Sequence, residues 1–334
     1  MRKYFVFIFV LLLTTVVKAQ DPHFSQFFAS PLTLNPAFTG KFDGKWRLAA
    51  NHRDQWPSIP KAYVTTSASV DFPILKNKIP ENDVFGVGIS GVSDASANSA
   101  LKLNYGSVSL SYHKALDENG YNTIGAGFQG TYSSMVLDIK QLTFADELGQ
   151  NGFVRGTTAE VFSNGRNQSY LDMNAGVLYS GSTNGENNYY LGVSMYHINR
   201  PKVSFQDKNW YLSGRLTVHG GGSFPMSDVV ALNISAIYQA QNKASETVLG
   251  GALALNANGD NINPTNVYIG SWIRLNDAVI PYVGLEFSGL RIGASYDVNI
   301  SSLKAATGNR GGSEISLIYI NRKKETKGIP CPRF

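Results

Sequence analysis

Charge is scarce in this chain of 334 residues: Asp, Glu, Lys and Arg make up only 16% of it, against about a quarter of an ordinary soluble protein. Cysteine is scarcer still. Cys331 stands alone, so no intramolecular disulfide framework is possible, although an oxidising compartment remains compatible with the chain. Beyond residue 20 no apolar run approaches the roughly 20 residues of a membrane-spanning helix. The formal charge of +5 includes Arg2, Lys3 and Lys18 at the extreme N-terminus, which leaves no basic stripe of the kind a nucleic-acid partner requires. No G-x-S-x-G elbow and no P-loop occur. The five histidines, His23, His52, His113, His197 and His219, are scattered singly without a second ligand at metal spacing, and each is assigned to a barrel lumen or a loop. Neither a cofactor, nor a metal, nor an enzymatic activity is expected.

What is present begins with an export leader. Residues 1–19 combine a cationic start, an apolar run from Phe5 to Leu13 and small residues at the cut, Val17 and Ala19, at minus three and minus one. Lys18 arrives too soon for this run to be a membrane anchor. Cleavage is expected after Ala19.

From about residue 45 onward, apolar and small or polar residues alternate with the period of two-faced strands. In "LRIGASYDV", Leu290, Ile292, Ala294, Tyr296 and Val298 oppose Arg291, Gly293, Ser295 and Asp297. In "GSVSLSYHK", Val108, Leu110 and Tyr112 oppose Ser107, Ser109, Ser111 and His113. "YLSGRLTVHG", residues 211–220, repeats the pattern. Fourteen such segments fill residues 45–320, each with about 20 residues of strand plus connection, which suits a bacterial outer-membrane barrel with an even number of strands. The fold expected is all-β: a transmembrane antiparallel β-barrel of about 14 strands with an N-terminal plug segment. The long polar connection between Ser133 and Tyr170 leaves the fifth strand, so it faces outward if both termini are periplasmic.

Several residues invite a chemical reading and are better explained by this architecture. "GAGFQG" at 125–130 has dinucleotide-fingerprint spacing, but it lies inside an alternating strand whose outward residues would be Ile124, Ala126, Phe128 and Tyr132. Asp146 and Glu147 sit on a glycine-rich loop and read as solvated. Arg215, Arg274, Arg291 and Glu286 alternate with apolar positions and should point into the lumen, where they pair with one another or meet a ligand, pairing being the expectation.

The stretch "QDPHFSQFFASPLTLNPAFTG", residues 20–40, is too short to cross a membrane and too apolar for a simple tail. Phe24, Phe27 and Phe28 fall at i, i+3 and i+4, placing three rings on one side of a short helical turn that Pro31 should end. Leu32 and Leu34 follow; Asn35-Pro36 and Gly40 then signal a turn. Residues 20–44 are therefore expected to form a plug that buries its rings inside the barrel or at its periplasmic mouth and closes the periplasmic side.

The same residues carry a resemblance. "DPHFSQFFASPLTLNPAFTG" resembles the N-terminal signature of the PorP/SprF family of type IX secretion system outer-membrane proteins, in which D-P-x-F-S-Q-F, P-L-x-L-N-P-A and a T-G pair recur. The positions carrying it are Phe24, Ser25, Gln26, Phe27, Pro31, Leu34, Asn35, Pro36 and Gly40. "HRDQWPSI", with Arg53, Gln55, Trp56 and Pro57, resembles the family's next shared stretch; His52 departs from the usual residue beside the arginine. The ending Cys331, Pro332, Arg333 and Phe334 resembles the family's common C-terminus. The resemblance implies a fourteen-stranded barrel in the outer membrane of a Gram-negative bacterium. It implies partners of two kinds: a secreted, adhesin-like cargo received through its C-terminal sorting domain, with a role in export or surface anchoring, and other type IX components in the periplasm. Outer-membrane lipid surrounds the barrel.

The tail, residues 321–334, carries Arg322, Lys323, Lys324, Lys327 and Arg333 on the periplasmic side. It is either a solvated tail or a dock for a periplasmic partner or acidic lipid. A second function on the same barrel is transport of hydrophobic small molecules across the outer membrane. That reading needs a kinked strand, which Pro281 or Gly250-Gly251 could supply.

Overall fold

Alternation decides where every strand residue goes, because a one-residue offset would turn all the apolar side chains away from lipid. The computed structural model describes residues 21–322 except 60–61, 76–77, 155, 159–165, 204–209 and 260–263. The leader and the motif Cys331–Phe334 lie outside the described residues, as does the basic tail beyond Arg322.

Fourteen strands close into one barrel: β1 (Trp46–Gln55), β2 (Tyr63–Ile74), β3 (Val84–Ser96), β4 (Leu101–Ala115), β5 (Thr123–Leu137), β6 (Arg166–Gly181), β7 (Asn188–Tyr196), β8 (Arg215–Ser227), β9 (Val230–Gln241), β10 (Ala244–Asn256), β11 (Asn266–Arg274), β12 (Ala278–Phe287), β13 (Leu290–Asn299) and β14 (Arg310–Asn321). Each pairs antiparallel with the next, and β14 returns to β1, with Trp46 opposite Asn321 and Gln55 opposite Gly312. Closure leaves no unpaired edge, the condition a sheet must meet in hydrocarbon.

The two faces separate as the sequence requires. On β4, Val108 is 59% exposed while Ser109 is 0% exposed. Leu110 and Tyr112 also face outward, and Ser107, Ser111 and His113 face in. On β5 the outward row is Ile124, Ala126, Phe128 and Tyr132, so "GAGFQG" is wall and not a nucleotide loop. His52 faces outward on β1, donating to or accepting from Thr66 Oγ1 at 2.8 Å. It is neither in the lumen nor on a loop, because parity places it in the same row as Leu48 and Ala50.

Both ends of the barrel chain lie at one end of the cylinder, here termed the near end; in bacterial outer-membrane barrels this end is periplasmic. The near-end turns include the two-residue connections 228–229 and 288–289, while the far end carries the long connections 138–165 and 197–214. Two strand starts differ from the alternation pattern. β6 begins at Arg166, five residues earlier than expected, because residues 166–170 continue the ladder with 133–137 of β5. β8 begins at Arg215, not at 211, and Tyr211 instead forms an isolated bridge with Lys202. Within the long 138–165 connection, Leu148–Gly149 pairs with Gly152–Phe153. Glu147 is not solvated there: it is buried and accepts the N–H groups of Phe144 (2.9 Å) and Gly156 (2.7 Å), tying the loop to itself.

One stretch of wall is irregular. The β12–β13 ladder skips Ile280 and Pro281, consistent with the missing N–H of proline. The β13–β14 register then shifts between Asp297 and Val298, a bulge of the kind that re-aims a side chain. Asp297 is the carboxylate on which much of the interior converges.

Candidate functional site

Residues 21–45 occupy the interior. Their side chains and backbone bond to inward side chains on β1, β2, β4, β5, β7 to β11, β13 and β14, and to a backbone carbonyl of β6, which surround them on all sides; only the space inside a closed sheet has that neighbourhood. The segment starts at the far end and descends. Asp21 N–H donates to Gln241 Oε1, at the far end of β9 (2.8 Å), and Lys41 Nζ donates to Thr123 Oγ1, at the near end of β5 (2.8 Å). The chain then turns into β1. Of the two places expected for these rings, inside the barrel or at its periplasmic mouth, the segment takes the first and runs the length of the lumen.

Prolines shape that descent. A 3-10 turn spans Phe27–Ala29, a single α-turn Pro31–Leu34, and a second 3-10 turn Pro36–Phe38. Pro31 opens its turn instead of ending the previous one, because proline fits the first helical position, where no N–H is needed. Asn35 caps the last turn, its Oδ1 accepting Ala37 N–H at 2.8 Å. Gly40 adopts a φ of 69° with its backbone against Gly86, a site closed to any side chain. Gly127, in register with Gly86 across β4, makes equal room, since a Cβ there would come within 2.3 Å of the Ala37 nitrogen.

The interior has a polar and an apolar arc. On the polar arc, Glu314 accepts the successive N–H groups of Ser25 (2.7 Å) and Gln26 (3.1 Å). Gln26 in turn donates to Ser295 Oγ and Glu314 O, both at 3.0 Å, and accepts from Ser316 Oγ at 2.6 Å. Asp297 receives Arg53 (2.9 Å), Arg274 (2.9 Å) and Ser25 Oγ (2.8 Å). Arg53 also donates to His23 O at 2.8 Å, and Arg274 also pairs with Glu246 at 3.2 Å. Near the base, Asp71 accepts Gly40 N–H at 2.7 Å and pairs with Arg47 at 2.8 Å, while Arg47 donates to Phe38 O at 2.9 Å. On the apolar arc, β6 to β12 present Leu178, Tyr190, Ile237, Val248, Trp272 and Tyr282 to Phe27, Leu34 and Phe38. The Phe28 ring lies 4.8 Å from Trp272 and 5.5 Å from Tyr282. Each such ring or leucine contributes about 1.5–3 kcal/mol on burial.

Asn35 ties the segment to the wall of β6 to β8. Its Nδ2 donates to Val177 O (3.1 Å) and lies 3.0 Å from His219 Nε2. Phe24 and Pro36 are buried beside it in the same segment. Thus every signature residue from Phe24 to Gly40 lies in the lumen. From the second motif only Arg53 joins them. Gln55 ends β1, Trp56 takes a φ of 57° and stacks edge-on against Tyr63 at 5.5 Å, and Pro57 lies in the far-end turn. The expected internal pairing holds for Arg291 with Glu286 (2.7 Å), whose other oxygen takes Arg322 (2.7 Å). Sequence reasoning missed Glu314, Asp71 and Arg47 as receivers of the segment; their inward parity was the available signal.

At the far end, His197, just past β7, bridges Asp21 (2.6 Å) and Asp172 (2.8 Å), and Arg215 lies 3.5 Å from Asp21. Burial alone would lower the His197 pKa, but the two carboxylates outweigh it and raise it from 6.5 to about 9. Burial would likewise raise Asp21, yet His197 and Arg215 hold it well below the usual carboxylate range. His23 is the opposite case: burial lowers it to about 4 despite Glu246 at 3.2 Å, so it is neutral.

Among solved structures, the chain is similar to a Pseudomonas aeruginosa FadL homologue (10% identity, 87% of this chain and 94% of that one, TM-score 0.47). It is also similar to the CymD monoaromatic hydrocarbon channel (11%, 89% and 94%, 0.47) and to the Pseudomonas putida toluene transporter TodX (9%, 86% and 92%, 0.47). No curated protein aligns with it in sequence. The family model for the type IX secretion system membrane protein PorP/SprF matches residues 16–319.

Two outcomes are expected. Asp297→Ala leaves two buried guanidiniums without their shared carboxylate, at a cost of about 3–5 kcal/mol; denaturant unfolding of the purified barrel measures it, and protease cutting within 21–40 should rise. The raised pKa of His197 stabilises the docked Asp21 end fully below pH 6.5, and that contribution is lost as pH rises through about 9. The protection factor of amide exchange around residues 21–23, taken relative to the intrinsic base-catalysed rate, should therefore fall between neutral and strongly alkaline pH, and His197→Gln should remove that step.

Proposed function

This chain belongs to the PorP/SprF family of type IX secretion system membrane proteins, and on that premise we propose that its outer-membrane barrel is a receptor for secreted cargo and not a conduit. The observation carrying this reading is the occupied lumen: charged and aromatic contacts hold residues 21–41 along the whole barrel axis, where a passing polypeptide would need free space. The working surface is then the far rim with its long connections 138–165 and 197–214. A C-terminal sorting domain of an adhesin-like protein docks there, for export or for retention at the cell surface. Other type IX components meet the barrel from the periplasm, where the near-end turns are available to them.

A second reading, passage of small hydrophobic compounds, has one feature in its favour. A small cavity of about 40 Å³ beside Phe28 is lined mainly by apolar side chains, among them Trp272, Tyr282, Ala252 and Ile234.

Removing residues 21–40 should convert the barrel from a closed to a conducting one in planar bilayers; unchanged conductance would show that the segment does not seal it. Affinity purification from native membranes, read by mass spectrometry, is expected to recover a large secreted protein, and recovery should vanish when that protein's C-terminal domain is deleted. A bound hydrocarbon or lipid with no protein partner would replace the receptor reading by the transport one.

A further inference from the structure

Within the lipid the sheet has no edge, but at the far end its wall is not level. β6 has 16 residues and β7 only 9, whereas a tilted strand crosses a bilayer with roughly 9–11. Outward residues mark where β6 leaves the lipid: exposed Leu171 and Met173 close the apolar row, and exposed Asn167 and Ser169 stand above it. On one side β6 stays paired to its tip, with Leu137 of β5 opposite Arg166. On the other side the ladder with β7 ends at Ala175 opposite Met195. Beyond it Ile198 N–H donates to Met173 O (3.0 Å), Met173 N–H to Asn199 Oδ1 (3.1 Å) and Asn199 Nδ2 to Leu171 O (2.8 Å). A turn closed by Arg200 N–H on His197 O (3.0 Å) then ends the pairing.

What remains is a free edge. Main-chain groups alternate in direction along a strand, so the Met173 contacts place those of Asn167, Ser169 and Leu171 on the β7 side, and those of Gln168 and Tyr170 on the β5 side. The N–H and C=O of Asn167 and Ser169, and the N–H of Leu171, have no hydrogen-bond partner among the described residues. They form an unpaired row in line with β7, in water at the cell exterior. Such a row is a template for one more strand. Side chains of a strand added there meet two environments. Those facing inward lie beside half-buried Tyr170 and Gln168, on a face that Tyr105, Leu103 and Met135 continue across β4 and β5. Those facing outward lie beside exposed Asn167 and Ser169. Lower in the same wall the inward row is Ser107, Ser109 and Ser111, so the inner face turns apolar only where it rises above the lipid.

We propose that an extended segment of the secreted protein adds to this edge as an antiparallel strand, pairing with residues 167–171 of β6 and setting apolar side chains inward and polar ones outward. The inference rests on the receptor reading and gives it a main-chain contact. Lipid has no main chain to offer, and partners in the periplasm do not reach this end. A second copy in the same membrane presents its β6 running the same way, so antiparallel pairing of two such edges is closed to it. The edge also lies between the connections 138–165 and 197–214, the part of the rim assigned to cargo.

The test compares the full mature barrel, free and in complex with the secreted protein recovered by affinity purification, by residue-level amide exchange. In the free barrel the amides of 168 and 170 should exchange slowly and those of 167 and 169 fast. Binding should slow 167 and 169 at least about tenfold and leave 168 and 170 unchanged, an alternation that contact through loops alone does not produce. Ser169→Pro removes one edge N–H without touching the β5 ladder and should weaken the complex at least about tenfold. Ser169→Ala, which keeps that N–H, should not. Asn167→Pro takes its place if Ser169→Pro loses the heat-modifiable migration of a folded barrel. Full-strength binding by the proline variant overturns the inference and leaves the receptor reading standing. So do amides 167 and 169 that stay fast in the complex, or that are already slow in the free barrel because the chain covers its own edge. A purification that returns no secreted protein removes the receptor reading, and the inference falls with it.

Discussion

Desolvated charge is the constraint on which this interior depends. A closed sheet turns half of its side chains away from lipid and, once the lumen is filled, away from water as well. Removing a carboxylate from water is tolerable only when hydrogen-bond donors replace the solvent. Here the replacement donors belong largely to the N-terminal segment and its partners. Glu314 takes two consecutive backbone N–H groups, Asp71 takes one together with Arg47, and Asp297 takes a serine hydroxyl between two guanidiniums. Strand charges without the segment, or the segment without those charges, would each leave buried groups unmatched. The filling is therefore particular to this sequence, and the apolar arc of β6 to β12 adds burial to that specificity.

Much of this was legible from the residues. The fourteen strands, their outward rows and the lumenal placement of Arg274, Arg291 and Glu286 follow from a period of two. That the rings of 20–44 needed an apolar enclosure follows from their number. The path of the segment was not legible, because local spacing at Phe24, Phe27 and Phe28 describes one turn and says nothing of direction along a cavity. Proline is likewise ambiguous in sequence: the same residue can stop a turn or begin one, and Pro31 begins one. The tall wall of β4 to β6 was underestimated at β6 because residues above the lipid lose their apolar partners and read as loop.

The partition of signature residues has a physical order. Ser25, Gln26, Asn35 and Gly40 each make contacts that a different residue could not reproduce: a hydroxyl on Asp297, an amide between Ser295 and Ser316, an amide between backbone and imidazole, and a left-handed backbone pressed on a neighbour. Phe27 and Leu34 are held by shape and area alone. Gln55, Trp56 and Pro57 belong to the rim, where geometry of the far-end turn matters and the lumen does not.

The junction between the first and last strands is where a cylinder made from one chain must be joined. Arg47 and Arg53 on one side of that joint, and Glu314 and Ser316 on the other, grip the same internal strip, directly or through Asp71 and Asp297, while Asn51 bonds across the joint to Glu314. The strip thus works as an internal rivet across the seam. Parting the first strand from the last requires undoing these charged contacts in addition to the ladder, so the weakest line of an ordinary barrel is among the most reinforced lines of this one.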